Sequence, residues 1–396
     1  MASLKLWYHA PMSLITHKCP KCAGRLEFNS SLQMMQCPFC DSVYDPLELQ
    51  ELDQVLATPP GASTQMAPTF APPPIPGTQV AIEADQANKW LLPNRHWEEG
   101  EQEDMYVYTC STCAGAIVSD QTLGATNCPY CDNPVVITDR FKGDLKPDLV
   151  IPFKLDKDTA KAALLKHYEG KHFLPLRFKD ENRIDEIKGV YIPFWLFDSI
   201  CLTDAVYHCT KVDSYTEGDY DITETSNYSV SRTGNIEFNY VPVDGSSQLA
   251  DDLMQSIEPF NYTDLVQFQT AYLAGYSTNV YDVDAPTAIT AAQNRMGATA
   301  EEVLRSSVQG YSTVDLERVN IDFQKPRCSY ALLPVWLLST IYDNKVYTFA
   351  MNGQTGLFVG DLPVDKTRRR NYFMLTWGII ALVILILAFV FGWVRW

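Results

Sequence analysis

Eight of the eleven cysteines form two quartets with identical spacing: CxxC, fourteen intervening residues and a second CxxC. Two residues between cysteines allow one tight turn to present both sulfur atoms to a single ion, and zinc accepts four thiolates in a tetrahedron. Because four cysteine ligands leave no open coordination position, the quartets predict two structural Zn²⁺ sites. The predicted ligands are Cys19, Cys22, Cys37 and Cys40 in the first site and Cys110, Cys113, Cys128 and Cys131 in the second.

The two quartets belong to one unit that occurs twice. Beyond the cysteines, Ala23-Gly24 corresponds to Ala114-Gly115, and Asp41 corresponds to Asp132. A unit of about 25 residues has almost no hydrophobic core, so the metal supplies most of its folding free energy. We therefore expect two zinc ribbons, each with a short hairpin between its two turns. Iron in a rubredoxin-like site and redox-active dithiols are the alternatives.

An uncharged apolar stretch near the C-terminus is long enough to cross a membrane. A helix from Tyr372 to Val394 would reach about 34 Å, and a bilayer's hydrocarbon core is about 30 Å thick. Tyr372 and Trp377 at one end, and Trp393 and Trp396 at the other, fit interfacial aromatic belts. The sequence predicts a single-pass, C-terminal anchor.

The flanking charges predict the orientation of this anchor. Lys366, Arg368, Arg369 and Arg370 precede the span and only Arg395 follows it, so the positive-inside bias leaves the N-terminal bulk in the cytoplasm. The N-terminus has no apolar segment of signal-peptide length. Because the cytosol is reducing, paired cysteines there favour metal over disulfides.

Composition divides the chain into five segments. Zinc ribbons occupy 1–50 and 83–140, an α+β body occupies 141–365, and a basic juxtamembrane segment with the transmembrane helix occupies 366–396. Residues 51–82 form a Pro-rich linker, whose core (57–81) has seven prolines and no charge. This composition predicts a disordered or polyproline-II tether that leaves the first ribbon free of the body. A proline-rich ligand for a partner's aromatic groove is the alternative.

Helix and strand patterns alternate in the body. Asp156 or Asp158 can cap a helix that ends near Tyr168, a second helix is expected with its cap near Ser247, and a third from Pro286 to about Ser306. A buried strand with a Pro-x-Trp motif follows the first helix, around Trp195, and another follows the third, around Trp336. Because this order occurs twice, we predict an α+β fold with an internal duplication.

Other strands are predicted between and after these motifs. Alternating segments favour strands over Cys201–Cys209 and Tyr228–Tyr240, separated by a polar, turn-rich stretch at 213–226. Asn352-Gly353 predicts a hairpin turn, which is a simpler explanation than a ligand-binding loop. Cys201, Cys209 and Cys328 are expected to be small buried residues.

The charge distribution argues against nucleic acid as a partner. The formal net charge is −17, and from His96 to Asp139 there are eight acidic residues and no Lys or Arg. Binding to nucleic acid depends on neutralising phosphates with cations. Charges in the first ribbon are mixed, so binding to DNA or RNA through that ribbon remains the alternative.

Several blocks of this sequence resemble a bacterial family of membrane-anchored, TFIIB-type zinc-ribbon-containing proteins. The blocks are Cys19–Phe28, Gly189–Trp195, Tyr272–Tyr276 with Tyr281–Val283, Leu333–Trp336 and Asn352–Gly356. The resemblance covers most of the chain outside the Pro-rich linker. It is looser at Ala23, Asp41, Ala114 and Asp132, where that family usually has glycine.

Some members of that family carry a primosomal protein N′ or replication factor Y helicase label, but no stretch here matches a phosphate-binding loop. Other members are encoded beside phage-shock-protein A-like and SPFH-type membrane proteins, which implies a subunit of a membrane-stress complex. We therefore expect a non-enzymatic, membrane-tethered adaptor or scaffold that recruits cytosolic or membrane-stress proteins. A membrane-tethered nucleic-acid-binding protein is the alternative, and a hydrolase or redox enzyme ranks third.

Overall fold

A computed structural model describes residues 19–22, 26–47, 49, 90–98, 102, 105–120, 128–131, 133, 135–140, 145–175, 184, 186–343 and 345–390. The predicted tether at 51–82 lies outside these residues, and so do the last six residues of the chain. Two sheets and four α-helices make up the described part, which confirms the predicted α+β class.

The first ribbon is a small antiparallel sheet. Its strands are β1 (Glu27–Asn29), β2 (Met34–Gln36) and β3 (Val43–Tyr44), in the order β1-β2-β3. β1 and β2 form the short hairpin that the fourteen-residue spacing predicts, with Phe28 opposite Met35.

Eleven described strands form one large sheet. Three belong to the second ribbon: β4 (Met105–Cys110), β5 (Ala116–Asp120) and β6 (Val135–Arg140). The body contributes β7 (Leu149–Val150), β8 (Lys188–Glu217), β9 (Tyr220–Asp244), β10 (Val266–Gln267), β11 (Ser277–Asn279), β12 (Thr313–Tyr342), β13 (Lys345–Asn352) and β14 (Phe358–Gly360). The main order is β10-β7-β12-β8-β11-β5-β4-β6, with β9 on β8, β13 on β12, and β14 on β13.

Four helices accompany the sheet: α1 (Lys157–Tyr168), α2 (Asp251–Ser256), α3 (Ala285–Ser306) and α4 (Lys366–Val390). The side chain of Asp156 caps α1 by accepting a hydrogen bond from the Thr159 amide at 2.8 Å, and Asp284 caps α3 through the Thr287 amide at 3.0 Å. The predicted helices that end near Tyr168 and begin near Pro286 are therefore confirmed, with α3 beginning one residue before Pro286. The helix expected near Ser247 is α2, but its N-cap is Ala250 and no side chain caps it.

The hydrophobic core lies on both faces of the antiparallel pair β8 and β12. Tyr191 and Trp195 lie on one face, and Ile192 and Phe194 lie on the other. A strand that is covered on both sides has no polar face, because successive side chains point in opposite directions. This explains the continuous apolar runs around the two Pro-x-Trp motifs.

The predicted internal duplication is visible in the strand pairing. β11 pairs in parallel with β8 at Val190 and Tyr191, and β7 pairs in parallel with β12 at Ala331 and Leu332. On the same edges, β9 pairs with β8 and β13 pairs with β12. The two halves meet at Ile192 and Leu333, which are directly opposite each other.

Matching hydrogen bonds extend this symmetry to the turns. The amide of Gly245 donates to the carbonyl of Pro193 at 2.9 Å, and the amide of Gly353 donates to the carbonyl of Pro334 at 2.9 Å. Each glycine carbonyl then accepts two amides from the segment that enters a helix: Asp282 and Val283 before α3, and Lys154 and Leu155 before α1.

β8 and β9 form a long arm. β12 accompanies β8 only as far as the pair Thr313 and Thr210, so 211–226 is a hairpin of two strands. The prediction of a turn-rich stretch over 213–226 is wrong, because the strands continue to a tight turn at Gly218 and Asp219. Neither face of this hairpin is buried, so its sequence lacks the alternation of apolar and polar residues that predicts a strand.

Candidate metal centres

In the first ribbon, four cysteines converge from two turns. Cys19 and Cys22 precede β1, and Cys37 and Cys40 follow β2. The sulfur atoms of Cys19 and Cys40 lie 3.5 Å apart, and those of Cys22 and Cys37 lie 3.4 Å apart. The turn after β2 is closed by backbone hydrogen bonds of 2.9 Å from the Cys37 amide to the Ser42 carbonyl and from the Asp41 amide to the Cys37 carbonyl.

The second ribbon repeats this geometry. Cys110 ends β4, and the sulfur atoms of Cys110 and Cys131 lie 3.4 Å apart. Those of Cys113 and Cys128 lie 3.6 Å apart. The amide of Ala114 donates to the Cys110 carbonyl at 2.9 Å, which matches the Asp41 contact in the first ribbon.

These distances fit a tetrahedral metal site. Sulfur atoms about 2.3 Å from a central zinc ion would be about 3.8 Å apart, whereas a disulfide requires about 2.05 Å. Within each quartet all four sulfur atoms lie within 4.8 Å of one another, and all eight cysteines are free thiols. Each quartet can therefore hold one metal ion. Its chemistry is that of a closed four-thiolate set, which stabilises the surrounding turns.

Hydrogen bonding favours the ionised state of some cysteines in both quartets, and in the first quartet hydrogen bonds from the side chain and backbone of Ser42 lower the pKa of Cys40. Burial opposes the ionisation of Cys19, but hydrogen bonds from the Tyr44 side chain and from the backbone amides of Cys22 and Lys21 lower its pKa to about 6. Burial likewise opposes the ionisation of Cys110, and the amides of Cys113 and Thr112 lower its pKa to about 7. Thiolates are the metal-binding form, so these hydrogen bonds favour a cation, whereas burial raises the pKa of Cys113 and Cys128 in the second quartet.

The remaining cysteines are separate from the quartets. Cys201, Cys209 and Cys328 are buried in the body, as predicted, and burial raises the pKa of each thiol. Asn352 also acts as expected, because its side-chain oxygen accepts hydrogen bonds from the amides of Gln354 and Thr355 at 2.9 and 3.0 Å. These bonds stabilise the turn between β13 and β14.

The first ribbon is docked on the body, so the prediction that it hangs free is wrong. Phe28 packs edge-on against Tyr272 with ring centroids 5.3 Å apart. The side-chain amide of Gln33 donates to the carbonyl of Phe153 at 2.6 Å, and the hydroxyl of Ser31 donates to Asp156 at 3.2 Å. The sequence places Phe28 in a strand of the ribbon. Its spacing does not show whether the ring packs inside the ribbon or against the body.

The second ribbon is part of the large sheet. Its strand β5 pairs with β11 through Ile117 opposite Asn279 and Val118 opposite Thr278. The hydroxyl of Ser339 donates to the carbonyl of Pro129 at 2.7 Å. Gly115 is packed so closely that a Cβ atom there would lie 2.9 Å from the ring of Tyr130 in the same ribbon and 3.0 Å from the side chain of Gln248 in the body. Only glycine fits this position without displacing a neighbour.

The apolar C-terminal helix continues directly from the body. Asp365 caps α4 by accepting hydrogen bonds from the amides of Thr367 and Arg368, both at 3.0 Å. The most apolar 18-residue window of the segment Lys366–Leu387 has a mean hydropathy of 1.8, and no part of that window is buried in the body. By length and composition this helix can cross a membrane.

The fold and the sites define a class: an α+β protein with two four-cysteine ribbons and a C-terminal apolar helix. The chain is 36% identical over 238 residues to YdjG, an uncharacterized protein of Bacillus subtilis strain 168, covering 60% of this chain and 70% of YdjG. It belongs to the same family as YdjG. No family model matches the chain, so the TFIIB-type resemblance stays a prediction. No solved structure matches it either.

Proposed function

We propose that this protein is a non-enzymatic, membrane-tethered adaptor with two structural zinc ions. α4 would anchor the body in the membrane, and the basic residues before the span favour a cytoplasmic body. The second ribbon would stabilise the body, and the β8–β9 arm would bind a protein partner. By the family resemblance, phage-shock-protein A-like and SPFH-type proteins are the first candidates.

The observation that carries this proposal is the exposed end of the arm. Residues 211–226 extend about 23 Å beyond the last pair of β12, at about 3.3 Å per residue. Tyr215 is 51% exposed and Tyr220 is 77% exposed. An isolated two-stranded hairpin is marginally stable, and it presents unpaired strand edges that suit the addition of a partner's strand.

The charge of this hairpin indicates the kind of partner. Between 211 and 226 there are five acidic residues and one lysine. Aromatic residues in such a setting are typical of interface anchors, and the surrounding carboxylates would select a basic surface.

The position of the arm suits recruitment away from the membrane. The loop after α1 contacts the start of α4, because the Asp365 amide donates to the Phe173 carbonyl at 2.8 Å. At the end of α1, Tyr168 packs on Phe349, which is paired with Leu338 near the far end of β12 from the arm. The hairpin would therefore extend away from the bilayer.

A shortened arm tests the adaptor. Deletion of 212–217 and 220–225 would leave the native Gly218-Asp219 turn between Lys211 and Ser226. Because six residues are removed from each strand and pairing alternates with a period of two, the turn keeps its register. We expect partner recovery from solubilised membranes to fall at least about tenfold, with two zinc ions per chain and an unchanged Tm.

Two matched variants complete this test. Tyr215→Ala with Tyr220→Ala should reproduce much of the loss without changing the backbone. Thr313→Ala, at the junction where the third strand begins, is the control and should recover partners like the unchanged protein. Recovery that is indifferent to both arm variants would contradict the proposal. Salt-sensitive binding of DNA or RNA would favour the nucleic-acid alternative.

A further inference from the structure

The apolar helix α4 is held against one loop of the body. The Asp365 amide donates to the carbonyl of Phe173 at 2.8 Å, and the guanidinium of Arg368 donates to the carbonyl of Leu174 at 3.5 Å. The rings of Phe173 and Tyr372 pack edge to face, with centroids 5.3 Å apart and an interplanar angle of 72°. The loop and the first two turns of α4 therefore form one surface.

This contact sets the depth of the loop relative to a bilayer. Tyr372 lies six residues after the start of α4, which is about 9 Å along the helix axis. The continuous apolar stretch begins with the next residue, Phe373. Aromatic residues at this boundary lie at headgroup level. Phe173 is packed on Tyr372, so the loop of the body lies at the same level.

The charge of this surface differs from that of the rest of the chain. Cations from two separate segments contribute to it: Lys166 and Lys171 from the body, and Lys366, Arg368, Arg369 and Arg370 from α4. The two segments are 165–174 and 361–370, and their acidic residues are Glu169, Asp361 and Asp365. Six cations against three anions give a net charge of +3, whereas the whole chain has a net charge of −17.

We propose that segment 165–174, which comprises the last turn of α1 and the loop after it, binds the headgroups of anionic phospholipids together with the start of α4. The inference rests on the proposed membrane anchorage and adds a second, independent membrane contact made by the body. Lys166, Lys171 and His172 are exposed, and Leu165 is 49% exposed beside them. A bilayer surface fits this set, because anionic lipids attract cations within a Debye length of about 8 Å and exposed apolar side chains enter the interface.

Hydrogen exchange on the full chain in lipid nanodiscs tests this contact. Discs of phosphatidylcholine alone are compared with discs that contain about 30% phosphatidylglycerol, and exchange is followed in the peptide that covers 165–174. We expect exchange there to slow at least about threefold in the anionic discs and to recover in about 0.5 M salt, because the attraction is screened. The hairpin at 211–226 should exchange equally in both kinds of disc.

Charge-reversal variants separate this inference from the anchorage. Lys166→Glu with Lys171→Glu should abolish the lipid-dependent slowing while the protein stays in the discs. Lys211→Glu with Arg232→Glu makes the same charge change on the arm and should leave the slowing intact. Failure of the unchanged chain to stay in discs would contradict the anchorage itself. Stable retention without any effect of phosphatidylglycerol on 165–174 would overturn only the headgroup contact.

Discussion

Asp244 and Asn352 occupy equivalent positions in the two halves of the body, each directly before the glycine that contacts a Pro-x-Trp motif. In both, the side-chain oxygen accepts the amide two residues later, from Ser246 and Gln354, at 2.9 Å. The side-chain amide nitrogen of Asn352 also donates to the carbonyl of Ile257 at 2.9 Å. The second oxygen of Asp244 is buried and has no hydrogen-bond partner among the described residues.

This difference predicts a pH-dependent effect of Asp244→Asn. Burial, with the nearby carboxylates of Asp251 and Asp282, raises the pKa of Asp244 to about 8 despite the hydrogen bond from the Ser246 amide. The unfolded chain ionises near pH 4, so the folded protein loses stability as the pH rises from about 4 to about 8, and no more above that range. Asp244→Asn does not lose this stability. The loss that it avoids amounts to ~1.36 kcal/mol for each unit of difference between the folded and unfolded pKa values of Asp244.

Urea unfolding in detergent at pH 5 and pH 8 measures the prediction. The advantage of Asp244→Asn should be small at pH 5 and reach a few kcal/mol at pH 8. Asp252→Asn, on the exposed side of α2, is the control and should show no such trend. An advantage that is equal at both pH values would show that ionisation of Asp244 is not its cause.

The backbone conformation of Ala114 predicts that a substitution there will stabilise the protein. Its φ angle is 58°, in the left-handed region, where a side chain costs roughly 1–2 kcal/mol relative to glycine. Glycine loses more conformational entropy on folding, which offsets part of this gain. Ala114→Gly should raise the free energy of unfolding by about 0.5–1 kcal/mol with unchanged metal content. Ala116→Gly, in strand β5, should lower it, and the opposite order would contradict the assigned backbone strain.

At the scale of elements, the two Pro-x-Trp strands hold the entries of the two helices. The indole of Trp195 donates to the Val283 carbonyl at 2.8 Å, just before the cap of α3. The indole of Trp336 donates to the Leu155 carbonyl at 3.1 Å, just before the cap of α1. Each half of the body therefore holds the helix of the other half.

Replacement of each tryptophan by phenylalanine tests this exchange. Trp195→Phe and Trp336→Phe should each cost about 1–3 kcal/mol, because a partly buried carbonyl loses its donor. Trp90→Phe is a matched control: its ring is equally buried, but its indole nitrogen has no partner among the described residues. Thermal or urea unfolding should therefore show a smaller loss for Trp90→Phe. Equal losses at all three positions would mean that ring volume alone matters.

Much of this element structure was predictable from sequence, for physical reasons. Asp156 is a strong helix cap, Pro286 suits the first turn of a helix, the CxxC turns are fixed by ligand geometry, and the runs around Trp195 and Trp336 are too apolar to be exposed. The hairpin at 211–226 was not predictable, because a strand without a buried face has no alternation of apolar and polar residues. Nor was the docking of Phe28, since its partner Tyr272 is more than 240 positions away.

At the scale of the whole molecule, the two ribbons join the body in different ways. The first contributes Phe28 and Met35 to the core on one face of β8 and β12. The second contributes Ile117 and Tyr130 to the core on the other face. The first is attached mainly by side-chain contacts, whereas the second shares backbone pairing with β11. Loss of metal from the two sites should therefore have unequal consequences.

Paired cysteine variants test this asymmetry. Cys110→Ser with Cys113→Ser should lower the Tm of the whole protein, because a ribbon without its metal cannot hold β5 against β11, and Val118 would then be exposed. Cys19→Ser with Cys22→Ser should leave that Tm almost unchanged, since β7 to β14 remain paired without the first ribbon. Each variant should lose one of two zinc ions, so a measurement of metal content checks that both changes remove the same amount of metal.

Limited proteolysis should cleave near β11 in the first variant and spare it in the second. An equal fall in Tm for both would mean that the first ribbon is as integral to the body as the second.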